Sequence, residues 1–407
     1  MRRCAHWLVW LVGLQISSVC HGDDWPQWRG PNRDGISKET GLLKSWPAGG
    51  PKELWAVNTP GKGYAAVSVV GKTIYLTGTE GKKGVLYALD LSGKLKWKQV
   101  YGPEWTTNFP QARTCPTIDG ANAYVYSGMG WAACFDAETG KKKWDLDTMA
   151  EFGGKNIRWG IAESPLIVGN LMICHPGGPD AAVAALDKAT GKRVWASKGL
   201  SDKSAYCSAI CANVGPTQAI ITMTENHVVG LDAKTGKVLW KHPHRNRYGA
   251  HPNTPLFFDG MVYATSGYRF GSQLLKLSAD GTAAAHVWSE KQLDNHHEGV
   301  LLIGGRIYGS SSRGKFLCLD PREGKVVYQV KEVKKAGITY ADERIYSYDE
   351  KGGVVSLIEV SPTAYKIHGQ FKVTKGKEQH WAHPVVANGT LYIRHGQALI
   401  AYDVRAR

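Results

Sequence analysis

Short apolar runs, each followed by a glycine-containing turn and a second apolar run, recur along the chain. Each set leads to Ala-Leu-Asp or a variant of it, then a Thr-Gly-Lys turn, then a tryptophan. The clearest copies run from Ala185-Leu186-Asp187 through Thr190-Gly191-Lys192 to Trp195, and from Leu231-Asp232 through Thr235-Gly236-Lys237 to Trp240. Cys134-Phe135-Asp136 leads to Trp144 and Ala88-Leu89-Asp90 to Trp97; weaker copies end at Trp288, Tyr328 and Phe371. From Trp55 through Trp97, Trp144, Trp195, Trp240 and Trp288 the steps are 42, 47, 51, 45 and 48 residues, followed by 40 and 43 to Tyr328 and Phe371. A period of roughly 40–50 residues holding four short strands is that of propeller blades.

The pattern therefore predicts an all-β, eight-bladed propeller with four antiparallel strands per blade. In the third blade the strands fall at residues 164–168, 171–175, 181–187 and 192–196. Seven copies are complete, and the C-terminus offers only three strands, at 383–387, 390–395 and 398–404. The missing outer strand lies at the other end, at residues 53–57, so pairing the two ends completes the eighth blade and removes open edges. Within each blade, Asp followed by Thr-Gly-Lys closes the last hairpin, with glycine supplying the positive φ. The recurring tryptophans read as packing between neighbouring blades.

Composition adds three points. The 48 glycines in 407 residues exceed the usual share of roughly 7% and mark a chain dense in turns. The first 22 residues stand apart: Arg2 and Arg3, an apolar run from Trp7 to Ile16, then small residues. This is the form of a secretory signal, so residues 1–22 are expected to be a signal peptide and 23–407 one propeller domain, exported, soluble and monomeric. Val19 precedes Cys20 where a lipid-attachment signal calls for a small residue, and no stretch reaches the length of a membrane span. The net charge of +15 would suit a polyanion, but many lysines lie in the repeated turns, where they read as solvated. No nucleic-acid module, phosphate loop, nucleophile elbow or paired zinc cysteines are present. Cys207 and Cys211 lie about 13 Å apart on an extended segment, too far to bridge.

The Ala-x-Asp-x-x-Thr-Gly-Lys-x-x-Trp pattern resembles the tryptophan-docking repeat of the quinoprotein dehydrogenases, which bind pyrroloquinoline quinone (PQQ). The opening Asp24-Trp25-Pro26-Gln27-Trp28-Arg29-Gly30-Pro31-Asn32-Arg33-Asp34-Gly35 is similar to the start of exported bacterial PQQ-like propellers. The resemblance covers Asp24 to the C-terminus, and the same repeat also builds non-enzymatic propellers, such as the lipoprotein that helps insert outer-membrane barrels. For an enzyme it implies PQQ with calcium held by carboxylate and amide ligands, an aspartate base, and a disulfide between adjacent cysteines. This chain has no adjacent cysteines. Where that family has an Asn ligand it reads Thr265-Ser266-Gly267-Tyr268, the glutamate loop is matched loosely by His175 to Asp180, and the aspartate region reads His296-His297-Glu298. The expected function is a binding or scaffold propeller for a ligand or protein partner, with no resident cofactor. The alternative is a PQQ-dependent dehydrogenase acting on an alcohol or sugar; an enzyme acting on carbohydrate or polyanion is a third, without a catalytic pair to point to.

Propeller geometry puts the Thr-Gly-Lys turns on one face and the blade connectors on the other. The connectors hold Arg113, Arg158, Trp159, Arg245, Arg247, His251, His296, His297, Glu298, His380, Trp381 and His383. From these, Arg158, Trp159, His251, His296, His297, Glu298, His380 and Trp381 are expected to form a ligand site at the channel mouth, with flat rings for contact and polar groups for orientation. The spacing of the histidines matches no metal motif, and they read as hydrogen-bonded loop residues.

Overall fold

Each repeated turn folds through its aspartate. Asp187 accepts from the backbone N–H of Thr190 at 2.9 Å and from its hydroxyl at 2.7 Å, while Gly191 takes φ +72°. Asp136 with Thr139 and Asp232 with Thr235 repeat the contact. The computed structural model describes residues 24–406; the expected signal peptide lies outside them.

Thirty-two strands among the described residues form eight four-stranded antiparallel sheets. Seven are sequential: residues 68–103, 117–147, 166–196, 210–243, 256–290, 300–330 and 336–372. The eighth consists of Val385–Ala387, Thr390–His395, Ala398–Asp403 and, on its outer edge, Lys52–Val57, which pairs Trp55 with Ala401 and Val57 with Leu399. The expected closure is the one found. The apolar core lies mainly between faces of neighbouring blades; one cluster joins Val69 and Leu76 of the first blade to Tyr392 and Leu399 of the eighth.

Outer-strand tryptophans span from blade to blade. The indole N–H groups of Trp55, Trp144, Trp195 and Trp288 donate at 2.8–3.1 Å to the carbonyls of Leu91, Lys188, Ala233 and Pro321 in the following blade. The ring also lies over the turn glycine of that blade, close enough that a Cβ on Gly191 would stand 2.6 Å from Trp144.

Two first strands begin later than expected. In the third blade the strand is Leu166–Val168, because the carbonyls of Ser164 and Pro165 accept from the Arg33 guanidinium at 2.9 and 3.0 Å. In the eighth it is Val385–Ala387, since Pro384 has no N–H to offer a ladder.

Arg33 belongs to a segment that no repeat accommodates. Residues 24–36 enter the axial channel: Trp25 bridges to Val69, Pro26 accepts from Ile118, and Arg29 donates to the carbonyl of Val300 at 2.5 Å. The segment leaves beside the seventh blade, where Ile36 bridges to Tyr340. Arg29 and Arg33 have φ of 59° and 58° and are 4% and 3% exposed, so the segment is fixed, with its charges spent on backbone carbonyls. Trp28 reaches furthest toward the connector face, its indole N–H 2.9 Å from the hydroxyl of Thr254.

Candidate functional site

Above Trp28 lies a cavity of about 260 Å³ at the axis. Connectors and loops of seven blades line it; among the described residues, only the seventh blade contributes no lining side chain. Rings of its wall and rim form a belt of neighbours, with Tyr248 on the rim. Trp381 stands 4.9 Å from Tyr64, 5.4 Å from Phe109 and 5.5 Å from His297. From His297 the belt continues to His296 at 4.8 Å, Tyr268 at 4.5 Å and Tyr248 at 4.6 Å, and then to Trp159 at 5.6 Å and Tyr206 at 5.9 Å. Arg113 closes the circle by donating to the carbonyls of both Trp159 and Phe109. Burial lowers the pKa of its guanidinium, while Glu104 acts in the opposite sense.

Three rings of this wall are mounted on left-handed backbone: Phe109 at φ 51°, Tyr206 at 69° and Tyr268 at 61°. Such conformations cost non-glycine residues on the order of 1–2 kcal/mol each and gather at functional sites. Buried carboxylates anchor the loops that carry them. Glu163 accepts from Tyr206 N at 3.0 Å and Ala162 N at 3.0 Å, and Glu104 accepts from the Tyr101 hydroxyl at 2.5 Å and Gly128 N at 2.6 Å. Burial raises the pKa of both carboxyls.

One side of the cavity is backed by an ionic cluster. Lys335, at the entry to the seventh blade, places its Nζ 2.7 Å from Glu350, 3.0 Å from Glu298 and 3.1 Å from Nδ1 of His296. His297 Nε2 lies 3.2 Å from Glu350 and 3.5 Å from Glu298. Since the ammonium can only donate, His296 Nδ1 accepts and its Nε2–H donates to the Tyr268 hydroxyl at 2.8 Å. Burial and the neighbouring His297 bring the His296 pKa down to about 3, so the ring is neutral. Burial alone pushes Glu298 up, but His297 and Lys335 outweigh it and hold the carboxyl at about 2.

Of the residues expected at the mouth, Trp159, His296, His297 and Trp381 line the cavity. Glu298 is fully buried behind them, and Arg158 is exposed on the rim over the rings of Trp159 and Tyr248. His251 lies in the fold, 2.6 Å from the Ser266 hydroxyl. His380 sits apart, stacked on His395 at 3.8 Å and bonded to the Tyr348 hydroxyl. Sequence reasoning missed Trp28, Tyr64, Phe109, Tyr206, Tyr268 and Lys335. For Trp28 a signal was available: an aromatic and glycine-rich stretch that fits no blade. Lys335 was hidden in the run Lys331 to Lys335, which reads as solvated charge.

A ring of eight four-stranded blades, several bridged by outer-strand tryptophans, with a walled axial cavity defines a repeat propeller of the quinoprotein type. The chain belongs to the family described as outer membrane protein assembly factor BamB, matched over residues 82–330. It is 28% identical over 189 residues to the lanthanide-dependent methanol dehydrogenase of Methylorubrum extorquens, covering 44% of this chain and 30% of that protein. It is 30% identical over 128 residues to the quinohemoprotein alcohol dehydrogenase ADH-IIG of Pseudomonas putida, covering 29% of this chain and 17% of that protein. The chain thus spans less than a third of either dehydrogenase. The crystal structure of BamB from Moraxella catarrhalis superposes with a TM-score of 0.64 at 16% identity, over 87% of this chain and 99% of that one, a likeness of fold.

The dehydrogenase relatives raise the question of PQQ with a metal ion. His296, His297 and Glu298 bring potential ligand atoms within 4.8 Å of one another. However, the Lys335 ammonium already sits among Glu298, Glu350 and His296. The six described cysteines are free, so no disulfide covers the cavity among the described residues. The residues present do not fit a calcium or lanthanide site of that kind.

Proposed function

We propose that this protein is an exported binding propeller, with a signal peptide at residues 1–22, that takes a small, flat or ring-shaped ligand into the aromatic cavity at the channel mouth. The observation that carries this reading is the wall itself, in which Phe109, Tyr206 and Tyr268 are held in left-handed backbone around an axial cavity. Packing alone does not call for three strained aromatic positions facing the same space. Arg113 in the wall, and Arg158 and Arg247 against the rim tyrosines, favour a neutral or anionic ligand over a cationic one. Trp381 and Trp159 supply flat contact, and His297 a polar edge.

The test uses 1-anilinonaphthalene-8-sulfonate, a flat aromatic anion, followed by its own fluorescence and by quenching of the cavity tryptophans. Saturable binding at one site per chain is expected, weakened about tenfold by Trp381→Ala with little change in melting temperature, since a tenfold loss is about 1.4 kcal/mol. Absence of saturable binding, or a Trp381→Ala protein that is destabilised yet binds unchanged, would overturn the proposal. Adding PQQ with calcium and an alcohol tests the alternative. Alcohol-dependent dye reduction would establish the dehydrogenase reading in its place.

A further inference from the structure

The cluster behind His296 has the donors of a metal site and a cation already seated among them. Glu298 and Glu350 supply carboxylate oxygens, His296 its Nδ1 and His297 its Nε2. These groups come from three places fixed by different parts of the fold. The histidines and Glu298 precede the first strand of the sixth blade. Lys335 precedes Ala336–Ala341 in the seventh, and Glu350 follows Arg344–Asp349. A backbone bond from Glu350 N to Lys335 O at 3.0 Å holds the last two in register. Glu298 is 0% exposed at its side chain and Lys335 13%. A buried carboxylate of this kind requires a compensating charge, because leaving it alone costs several kcal/mol. Lysine provides that charge as a point cation on a flexible stem.

We infer that the Lys335 ammonium takes the place of a metal ion in this propeller: the site is charge-compensated by the protein itself, and removing the amine uncovers a divalent transition-metal site made by His296, His297, Glu298 and Glu350. Two imidazoles with carboxylates form a donor set suited to zinc, whereas calcium and lanthanides call for oxygen ligands throughout. This inference concerns the cation only and stands whether or not the cavity takes the ligand proposed above.

The experiment measures metal retained by the full chain after gel filtration from ZnCl2, CaCl2 or LaCl3. Wild type is expected to retain none of the three at this cluster. Lys335→Ala is expected to retain about one equivalent of zinc but neither calcium nor lanthanum, and Lys335→Ala with Glu298→Gln to lose the zinc again. Stoichiometric calcium or lanthanum on wild type, abolished by Glu298→Gln, would overturn the inference, as would a folded Lys335→Ala protein that holds no zinc. Should Lys335→Ala fail to fold, refolding it with each ion decides the matter by circular dichroism. Recovery with zinc alone supports the inference, and recovery with none or with calcium refutes it.

Discussion

The indole of Trp28 lies against the imidazole of His383, with centroids 4.5 Å apart and planes tilted by 51°. One residue comes from the N-terminal segment and the other from the entry to the last blade, so this contact joins the two ends of the chain at the axis. The Nε2–H of His383 donates to the His297 carbonyl at 2.9 Å, which ties the segment to the cluster beside the cavity. The floor of the cavity and its ionic side are thereby linked through His383.

Replacing Trp28 with alanine should loosen the whole segment. The ring is half-buried and holds both Thr254 and His383, so the expected loss is about 3 kcal/mol, the lower end for removing a packed tryptophan. Arg29 and Arg33 are 4% and 3% exposed in the folded protein and shielded from protease. Limited trypsin digestion should therefore leave wild type intact at these two sites and cut Trp28→Ala there while the blades remain resistant. Equal resistance of both proteins would show that Trp28 does not secure the segment.

Two glycines with nearly equal φ separate backbone strain from ring contact. Gly191 has φ +72° and Gly199 φ +73°. A Cβ on Gly191 would stand 2.6 Å from the Trp144 ring, whereas a Cβ on Gly199 would meet nothing within 4 Å. Gly199→Ala should cost only the left-handed penalty of about 1–2 kcal/mol. Gly191→Ala should cost about 1–3 kcal/mol more, because the indole held by Lys188 must move. Urea denaturation of the two variants measures the difference, and equal midpoints would mean that the tryptophan contact adds nothing.

The blades were legible because several repeats carry the same turn chemistry and set the period for the weaker copies. Asp187, Thr190 and Gly191 make the same local bonds as Asp232, Thr235 and Gly236, so the sequence period and the structural period coincide. Closure was legible for a related reason: three strands at one end and one at the other leave no different pairing that removes both edges. The site was legible only as a location. Irregular connectors pointed to the mouth, but which of their side chains face inward depends on backbone such as Tyr206 and Tyr268 at positive φ, which no residue type announces. His251 and His380 illustrate this: they stand in the same connectors as the lining residues, yet point into packing against Ser266 and Tyr348. Lys335 found its partners across a blade boundary, and Glu350 lies fifteen residues further along the chain.

The buried histidines fix how stability depends on pH. Burial brings the pKa of His175, His296 and His383 down to about 3 and that of His244 down to about 4. Burial also holds His251 well below its ordinary value. In the unfolded chain each returns to about 6.5, so between these limits the unfolded state binds more protons than the folded one. Their contribution is fully present above about pH 6.5 and is lost as the pH falls toward the folded values, each ring costing about 1.4 kcal/mol per pH unit within the window. Glu298, held at about 2 by His297 and Lys335 against its burial, acts in the same sense at the acid end. Glu104 and Glu163, raised by burial, act in the opposite sense: they gain protons on folding as the pH approaches the ordinary carboxyl range. The five histidines outnumber these two carboxyls. The urea midpoint should therefore be clearly lower at about pH 5 than at about pH 7.5, with unfolding drawing protons from the buffer. His383→Gln keeps a donor for the His297 carbonyl and removes one titrating ring, so it should flatten the slope by about 1.4 kcal/mol per pH unit whatever its effect on stability. A midpoint independent of pH over this range, or an unchanged slope in His383→Gln, would show that these imidazoles are not held neutral in the fold.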